Sequence, residues 1–149
     1  MQISTDMKTI LLNTPQDTEN AASELAATIQ APAIIFLEGQ LGAGKTTFVK
    51  GFLRGCGYQG SVKSPTYTLI ELYEIEKNII LHADLYRITD VNELDLIGFR
   101  DYFNNNTIAL IEWASNASSW LPKPTMICKL SIPENGLGRL LQISECESE

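Results

Sequence analysis

Gly39-Gln40-Leu41-Gly42-Ala43-Gly44-Lys45-Thr46 is the stretch on which the fold turns. It fits G-x-x-x-x-G-K-[ST], a loop that wraps phosphate. A motif this short can arise by chance, so its flanks carry weight. Ala33-Ile34-Ile35-Phe36-Leu37 lies just before it and reads as a buried strand. Thr47-Phe48-Val49-Lys50-Gly51-Phe52-Leu53 lies just after it, with Phe48, Val49, Phe52 and Leu53 on one helical face. Strand, glycine loop and helix are the order such a loop requires. Glycines let the backbone turn so that successive N–H groups point inward, and the helix N-terminus adds the positive end of its dipole. Lys45 would reach the β- and γ-phosphates of a nucleotide, and the Thr46 hydroxyl would ligate Mg²⁺.

The bulk properties set the frame. A chain of 149 residues, 44% apolar, supports one domain with a real core, residues 1 to 149. No apolar run approaches membrane-spanning length. Met1 to Met7 lacks a basic segment followed by an apolar one, so no secretory signal is expected. Cys56, Cys128 and Cys146 are odd in number and far apart, which argues against a zinc site or a disulfide framework and for a reducing cytoplasm. The net charge is −7, with Glu145, Glu147 and Glu149 forming an acidic tail. Broad electrostatic binding of nucleic acid is not expected of such a chain.

Along the chain, Lys8 to Leu12 reads as a short edge strand. Thr14, Pro15 and Asp17 suit a helix start, and Ala22, Leu25, Ala26 and Ile29 form its apolar stripe to about Gln30. The helix after the glycine loop closes at Gly55-Cys56-Gly57. Gly60 to Pro65 is a loop, and Thr66 to Tyr73 is rich in β-formers. Asn78 to Ala83 reads as a strand ending at Asp84. Val91 to Phe103 is helical in pattern with a break near Gly98, and Thr107 to Ile111 is a wholly apolar strand ending at Glu112-Trp113. Ala114 to Leu121 is loop or short helix. Met126 to Ile132, the turn Pro133 to Gly136, and Leu137 to Ser144 form a terminal hairpin. The order β-α-β-α-β-β-α-β-β-β predicts an α/β protein of the P-loop NTPase-like, three-layer kind. Its central sheet is mainly parallel, with antiparallel edge strands.

A phosphate loop of this kind works with a carboxylate at the end of a neighbouring strand, which holds Mg²⁺ or orients the attacking water. Asp84 and Glu112 both end predicted strands, where ligands bind in open α/β sheets, and both are expected at the site. His82 shares a face with Asp84; a packed, satisfied core histidine is the simpler reading, with catalysis the alternative. Ser64, Thr66 and Thr68 follow a loop and could close on the γ-phosphate as a switch segment does. Lys63, Arg54, Arg87 and Arg100 are the available cations, and Arg87, three residues after Asp84, could reach the site. The turn Asn13 to Asp17 is a weak guess for adenine contact. The chain lacks N-K-x-D, which a GTPase would carry, and Asp95-Leu96-Ile97-Gly98 sits in a helical pattern and not after an apolar strand. Only four scattered arginines argue against the lid of a small-molecule kinase.

Leu41-Gly42-Ala43-Gly44-Lys45-Thr46-Thr47, Val62-Lys63-Ser64-Pro65-Thr66-Tyr67-Thr68-Leu69, Asp84-Leu85-Tyr86-Arg87 and Ile111-Glu112-Trp113 occur in this order. Together they resemble the bacterial tRNA threonylcarbamoyladenosine biosynthesis ATPases, the TsaE or YjeE family, from about Thr14 to the final hairpin. Arg100-Asp101-Tyr102-Phe103 is also similar to family sequence. The resemblance implies a compact P-loop ATPase that works with the transferase TsaD and its companion TsaB, and through them with tRNA. It implies that ATP turnover resets that complex without transferring the group. It places the phosphates on residues 41 to 46, with Thr47 beside them, and Mg²⁺ on Thr46 and Glu112. Lys45, Glu112, Asp84 and Thr66 become the catalytic or sensing candidates. His82-Ala83 ahead of the aspartate and Ala114 after the tryptophan are minor departures. Two other readings stand beside this one: a nucleotide-gated binding module with incidental turnover, and a small-molecule P-loop kinase.

Overall fold

In the computed structural model, residues 3–146 are described, their side chains from residue 7 onward. Of the acidic tail, Glu145 lies in the last strand, and Glu147 and Glu149 fall outside the described residues. The strands are β1 (Ile3–Leu12), β2 (Ala33–Glu38), β3 (Ile70–Ile75), β4 (Asn78–Asp84), β5 (Thr107–Glu112), β6 (Met126–Ser131) and β7 (Arg139–Cys146). The helices are α1 (Pro15–Ala26), α2 (Lys45–Gly55) and α3 (Asn92–Leu96), with 3-10 turns at Phe99–Tyr102 and Ala114–Ala117. The element order is the expected one. The seven strands form one sheet, ordered β1-β7-β6-β2-β5-β4-β3. Its centre, β6-β2-β5-β4, is parallel, and the β3–β4, β6–β7 and β1–β7 pairs are antiparallel.

Strand alternation divides the core into two layers. Ile35, Leu37, Ile108, Leu110 and Ile80 pack with Phe48, Phe52 and Leu53 of α2 and Ala22 and Ala26 of α1. Leu81, Ala83, Ala109 and Ile111 point to the other face and pack with Leu85, Leu94, Phe99 and Trp120. Burial on both faces is why β5 reads as an unbroken apolar run. The helix α1 starts as expected. Thr14 Oγ1 accepts from Asp17 N at 3.1 Å, and Asp17 Oδ2 accepts from Asn13 N at 3.0 Å. It ends earlier than its stripe predicts, because Thr28 Oγ1 donates back to Leu25 O at 2.7 Å in a closing turn.

One further expectation needs correction. The β-formers from Thr66 do not all join a strand. A turn closes with Leu69 N donating to Pro65 O at 2.8 Å, Leu69 itself adopts φ 73°, and β3 begins only at Ile70. The break expected near Gly98 in the helical pattern over Val91 to Phe103 is present: Gly98 adopts φ 69° between α3 and the 3-10 turn Phe99–Tyr102.

Candidate active site

The glycine loop joins β2 to α2 at the carboxyl edge of the parallel strands. Gly42 and Gly44 adopt φ 83° and 104°, conformations that favour glycine. A Cβ built on either would find no heavy atom within 4 Å, so the space beside the loop is open. Gly44 is the N-cap of α2 and no side-chain hydrogen bond caps that end. An uncapped helix start beside open space suits an anion. Ala43 turns its side chain into the core and donates its N–H to Gln40 O at 3.1 Å. The loop lines a cleft of about 720 Å³ with Leu41, Gly42, Gly44, Lys45, Thr46 and Thr47 on its walls.

Both predicted acids reach this cleft. The β4–β5 pairing sets Asp84 beside Glu112, and the β2–β5 pairing sets Glu112 beside Leu37, two residues before Gly39. Glu112 is 8% exposed. Its two oxygens face different partners: Lys45 Nζ lies 3.6 Å from Oε1, and His82 Nε2 is hydrogen-bonded to Oε2 at 2.5 Å. Lys45 Nζ also stands 5.0 Å above the centroid of the Trp113 ring. Asp84 is half-buried, and its Oδ1 accepts from Tyr86 N at 3.0 Å. Burial pushes its carboxyl above the usual carboxylate range. The Tyr86 N–H opposes that shift, the Glu112 charge adds to it, and Lys45 and His82 oppose it.

The loop opposite contributes Val62 to Thr66. The Tyr73 hydroxyl anchors it by accepting from Lys63 N at 2.9 Å and donating to Lys63 O at 3.1 Å. Thr66 lines the cleft and shares a 2.6 Å hydroxyl contact with Ser64. Thr68 donates to Glu71 Oε1 at 3.1 Å and is not among the cleft walls. Arg87 does not reach the site. Its guanidinium sits 4.7 Å over the Tyr67 ring. Arg100 covers Trp120 at 4.1 Å, on the α3 face of the sheet.

Sequence reasoning missed three contributors. The His82–Glu112 bond joins residues 30 apart in sequence. Arg139 Nη2 donates to Gly42 O at 3.1 Å across 97 residues. Asn116 Nδ2 donates to Leu85 O at 2.8 Å and Tyr86 O at 3.2 Å, tying down the segment after Asp84. Only the Asn13–Asp17 guess pointed toward the second neighbourhood. A smaller cleft of about 250 Å³ lies there, between Asn13, Thr14, Arg139 and the Thr47 side of the glycine loop.

Mg²⁺ fits this donor set. A hard cation takes oxygen ligands and keeps several waters and phosphate oxygens, so it needs few protein ligands. Thr46 and Glu112 face one cleft, and among the described residues no cluster of three or more His, Cys, Asp or Glu offers a protein-only cage.

Strand, glycine loop, lysine-headed helix and an acid on the adjacent parallel strand define a P-loop-like α/β protein. The sequence model of the family described as "Threonylcarbamoyl adenosine biosynthesis protein TsaE" matches residues 12–139. The chain therefore belongs to the TsaE family. It is 50% identical over 97 residues to the tRNA threonylcarbamoyladenosine biosynthesis protein TsaE of Haemophilus influenzae. That match covers 65% of this chain and 61% of the relative. It is 41% identical over 109 residues to the protein of the same name from Bacillus subtilis, covering 73% and 68% respectively. The Rickettsia prowazekii relative is 35% identical over 125 residues, covering 83% of this chain and 86% of its own length. The crystal structure of Bacillus subtilis YdiB superposes with a TM-score of 0.79 at 26% identity, over 99% of this chain and 89% of that one.

Proposed function

We propose that this protein binds and hydrolyses ATP with Mg²⁺, in a reducing cytoplasm, as the energy-using member of the machinery that makes threonylcarbamoyladenosine in tRNA. The observation that carries the reading is the Lys45–Glu112 pair at the mouth of an uncapped glycine loop. A lysine held beside a buried carboxylate, in a cleft that also holds Thr46, Thr66 and Asp84, is a charge pair that phosphate oxygens would divide. Lys45 would turn to the β- and γ-phosphates, and Glu112 would be left to face the cation. Bound Mg²⁺ would neutralise charge growing between the β- and γ-phosphoryl groups. The backbone N–H groups from residues 41 to 47 would hold the phosphates, and Asp84 and Thr66 would orient water or sense the γ-phosphate. The nucleoside would leave on the Thr47 side, toward Asn13 and Arg139.

The printed names of the relatives support the tRNA assignment, and the partners we infer are TsaD and TsaB, with tRNA reached through them. Group transfer is assigned to the partner. A second reading, a nucleotide-gated binding module, draws on the exposed apolar groups around the cleft: Leu41, Tyr67 and Tyr86. The two separate on turnover. Lys45→Ala should leave the fold intact and lower ATP hydrolysis about a hundredfold or more, since a positioned charge on the phosphoryl group is lost. Steady-state hydrolysis with partners present measures this. Undiminished turnover would remove the site from the chemistry, and wild-type protein that binds ATP without consuming it would favour the gated module.

A further inference from the structure

His82 is buried, 3% exposed, on the strand that delivers Asp84. Alternation along β4 sends Leu81 and Ala83 to the α3 side and His82 with Asp84 toward the glycine loop. A buried imidazole among apolar strands costs free energy unless its polar atoms are used. One is used: Nε2 bonds Glu112 Oε2 at 2.5 Å. Nδ1 is buried and has no hydrogen-bond partner among the described residues. A core histidine held for packing alone would be expected to satisfy both nitrogens or to be replaced by an apolar residue of like size. Retaining one orphaned atom points to a task for the other.

We propose that His82 is a positioning residue for Glu112, its Nε2–H fixing the carboxylate so that Oε1 alone is presented to the cleft. This rests on the nucleotide reading above and adds a supporting layer to it. An ionised carboxylate only accepts, so the proton of the short bond sits on Nε2. With Oε2 held, Glu112 cannot rotate to take Lys45 and a cation with different oxygens in turn. Oε1 serves whichever is present: Lys45 at 3.6 Å in the empty site, the hydrated cation when nucleotide draws Lys45 away. Supporting groups of this kind govern ligand orientation, and their loss costs about 10–100-fold in metal affinity or activity.

Two measurements test it. The chain holds a single histidine, so imidazole ¹⁵N–¹H correlation spectra of the metal-free, nucleotide-free protein report His82 alone. A proton on Nε2 is expected, and a ring bare at Nε2 overturns the proposal whether or not the protein hydrolyses ATP. The second compares His82→Gln with His82→Asn. The Gln amide nitrogen lies as many bonds from Cβ as imidazole Nε2, and the Asn nitrogen is one bond shorter. His82→Asn should raise the Mg²⁺ concentration for half-maximal turnover about tenfold or more, with metal-free ATP binding unchanged, and His82→Gln should stay near wild type. Equal losses in both variants, or none in either, overturn the proposal. If His82→Asn does not fold, the spectrum decides. Wild-type protein that neither binds nor consumes ATP would defeat the nucleotide reading, and the imidazole spectrum would still stand as the test of the Glu112 contact.

Discussion

Glu112 and Asp84 end adjacent strands at the same level, yet their surroundings differ. Glu112 is buried between Lys45 and His82, whereas Asp84 is half-buried and holds a backbone N–H. Glu112→Gln should weaken Mg²⁺-dependent turnover more than metal-free nucleotide binding, because a hard cation loses a charged oxygen ligand. Mg²⁺ titrations of both activities check this, and Asp84→Asn abolishing metal dependence while Glu112→Gln spares it would reverse the two acids. Asp84 also carries a stability signature. Its folded-state carboxyl is raised, chiefly by burial, so the folded protein holds that proton more tightly than the unfolded chain. Stability is then lost as pH rises from the ordinary carboxylate range through the raised value. Asp84→Asn, which keeps an acceptor for Tyr86 N, should unfold at a higher temperature than wild type at neutral pH in metal-free buffer. The gain should shrink as pH falls below that window, and a gain that grows on acidification would contradict the assignment. At this scale short local motifs were enough to single out Lys45, Thr46 and the two strand-end acids, which do line one cleft. It was silent on His82–Glu112 and Arg139–Gly42, because sheet order, and no local pattern, brings residues 30 and 97 positions apart together.

Elements follow the same division. Strand β5 with its apolar run Ile108 to Ile111, the glycine loop and the Thr14 start of α1 were legible because each has a local cause: burial on both faces, backbone freedom, and a capped turn. The segment Thr66 to Leu69 was misread because β-propensity measures fit to a pleated surface, and here the turn closed by Pro65 and Leu69 wins. The packing of α1 on α2 was equally hidden. Gly51 and Gly55, one turn apart on α2, abut the backbone of α1. A Cβ on Gly51 would stand 2.6 Å from Glu19 Cα, and one on Gly55 2.7 Å from Ser23 Cα. Alanine would gain about 1 kcal/mol of helix propensity over glycine, yet backbone atoms cannot swing aside as side chains can. Gly51→Ala should therefore lose about 1–2 kcal/mol of stability by overpacking, read from denaturant midpoints. A stabilised variant would show that α1 and α2 can separate freely. Because α2 begins at Lys45, such a separation would also move the phosphate loop.

The whole molecule presents an open site. The cleft has the lysine, Thr46 and two acids, while arginines 87, 100 and 139 sit over Tyr67, over Trp120 and against Gly42 O, and Arg54 lies exposed in the last turn of α2. No helix of the described residues is long and apolar enough to cross a membrane, and a net charge of −7 disfavours holding tRNA unaided. An exposed cleft would leave water around any bound phosphates and weaken electrostatic stabilisation. A partner that covered the 62–66 loop and Trp113 would exclude that water, and a guanidinium supplied with it can be worth about a thousandfold or more. Seven strands and their succession along the chain followed from element patterns, but the sheet order and the surface a partner covers leave no periodic mark in the sequence. The most direct measurement is the steady-state rate of ATP hydrolysis by the purified chain, alone and then with TsaB, TsaD and tRNA. Slow turnover is expected of the chain alone, with a rise of orders of magnitude in the assembly. Full-rate hydrolysis by the isolated chain, unchanged by the partners, would contradict it.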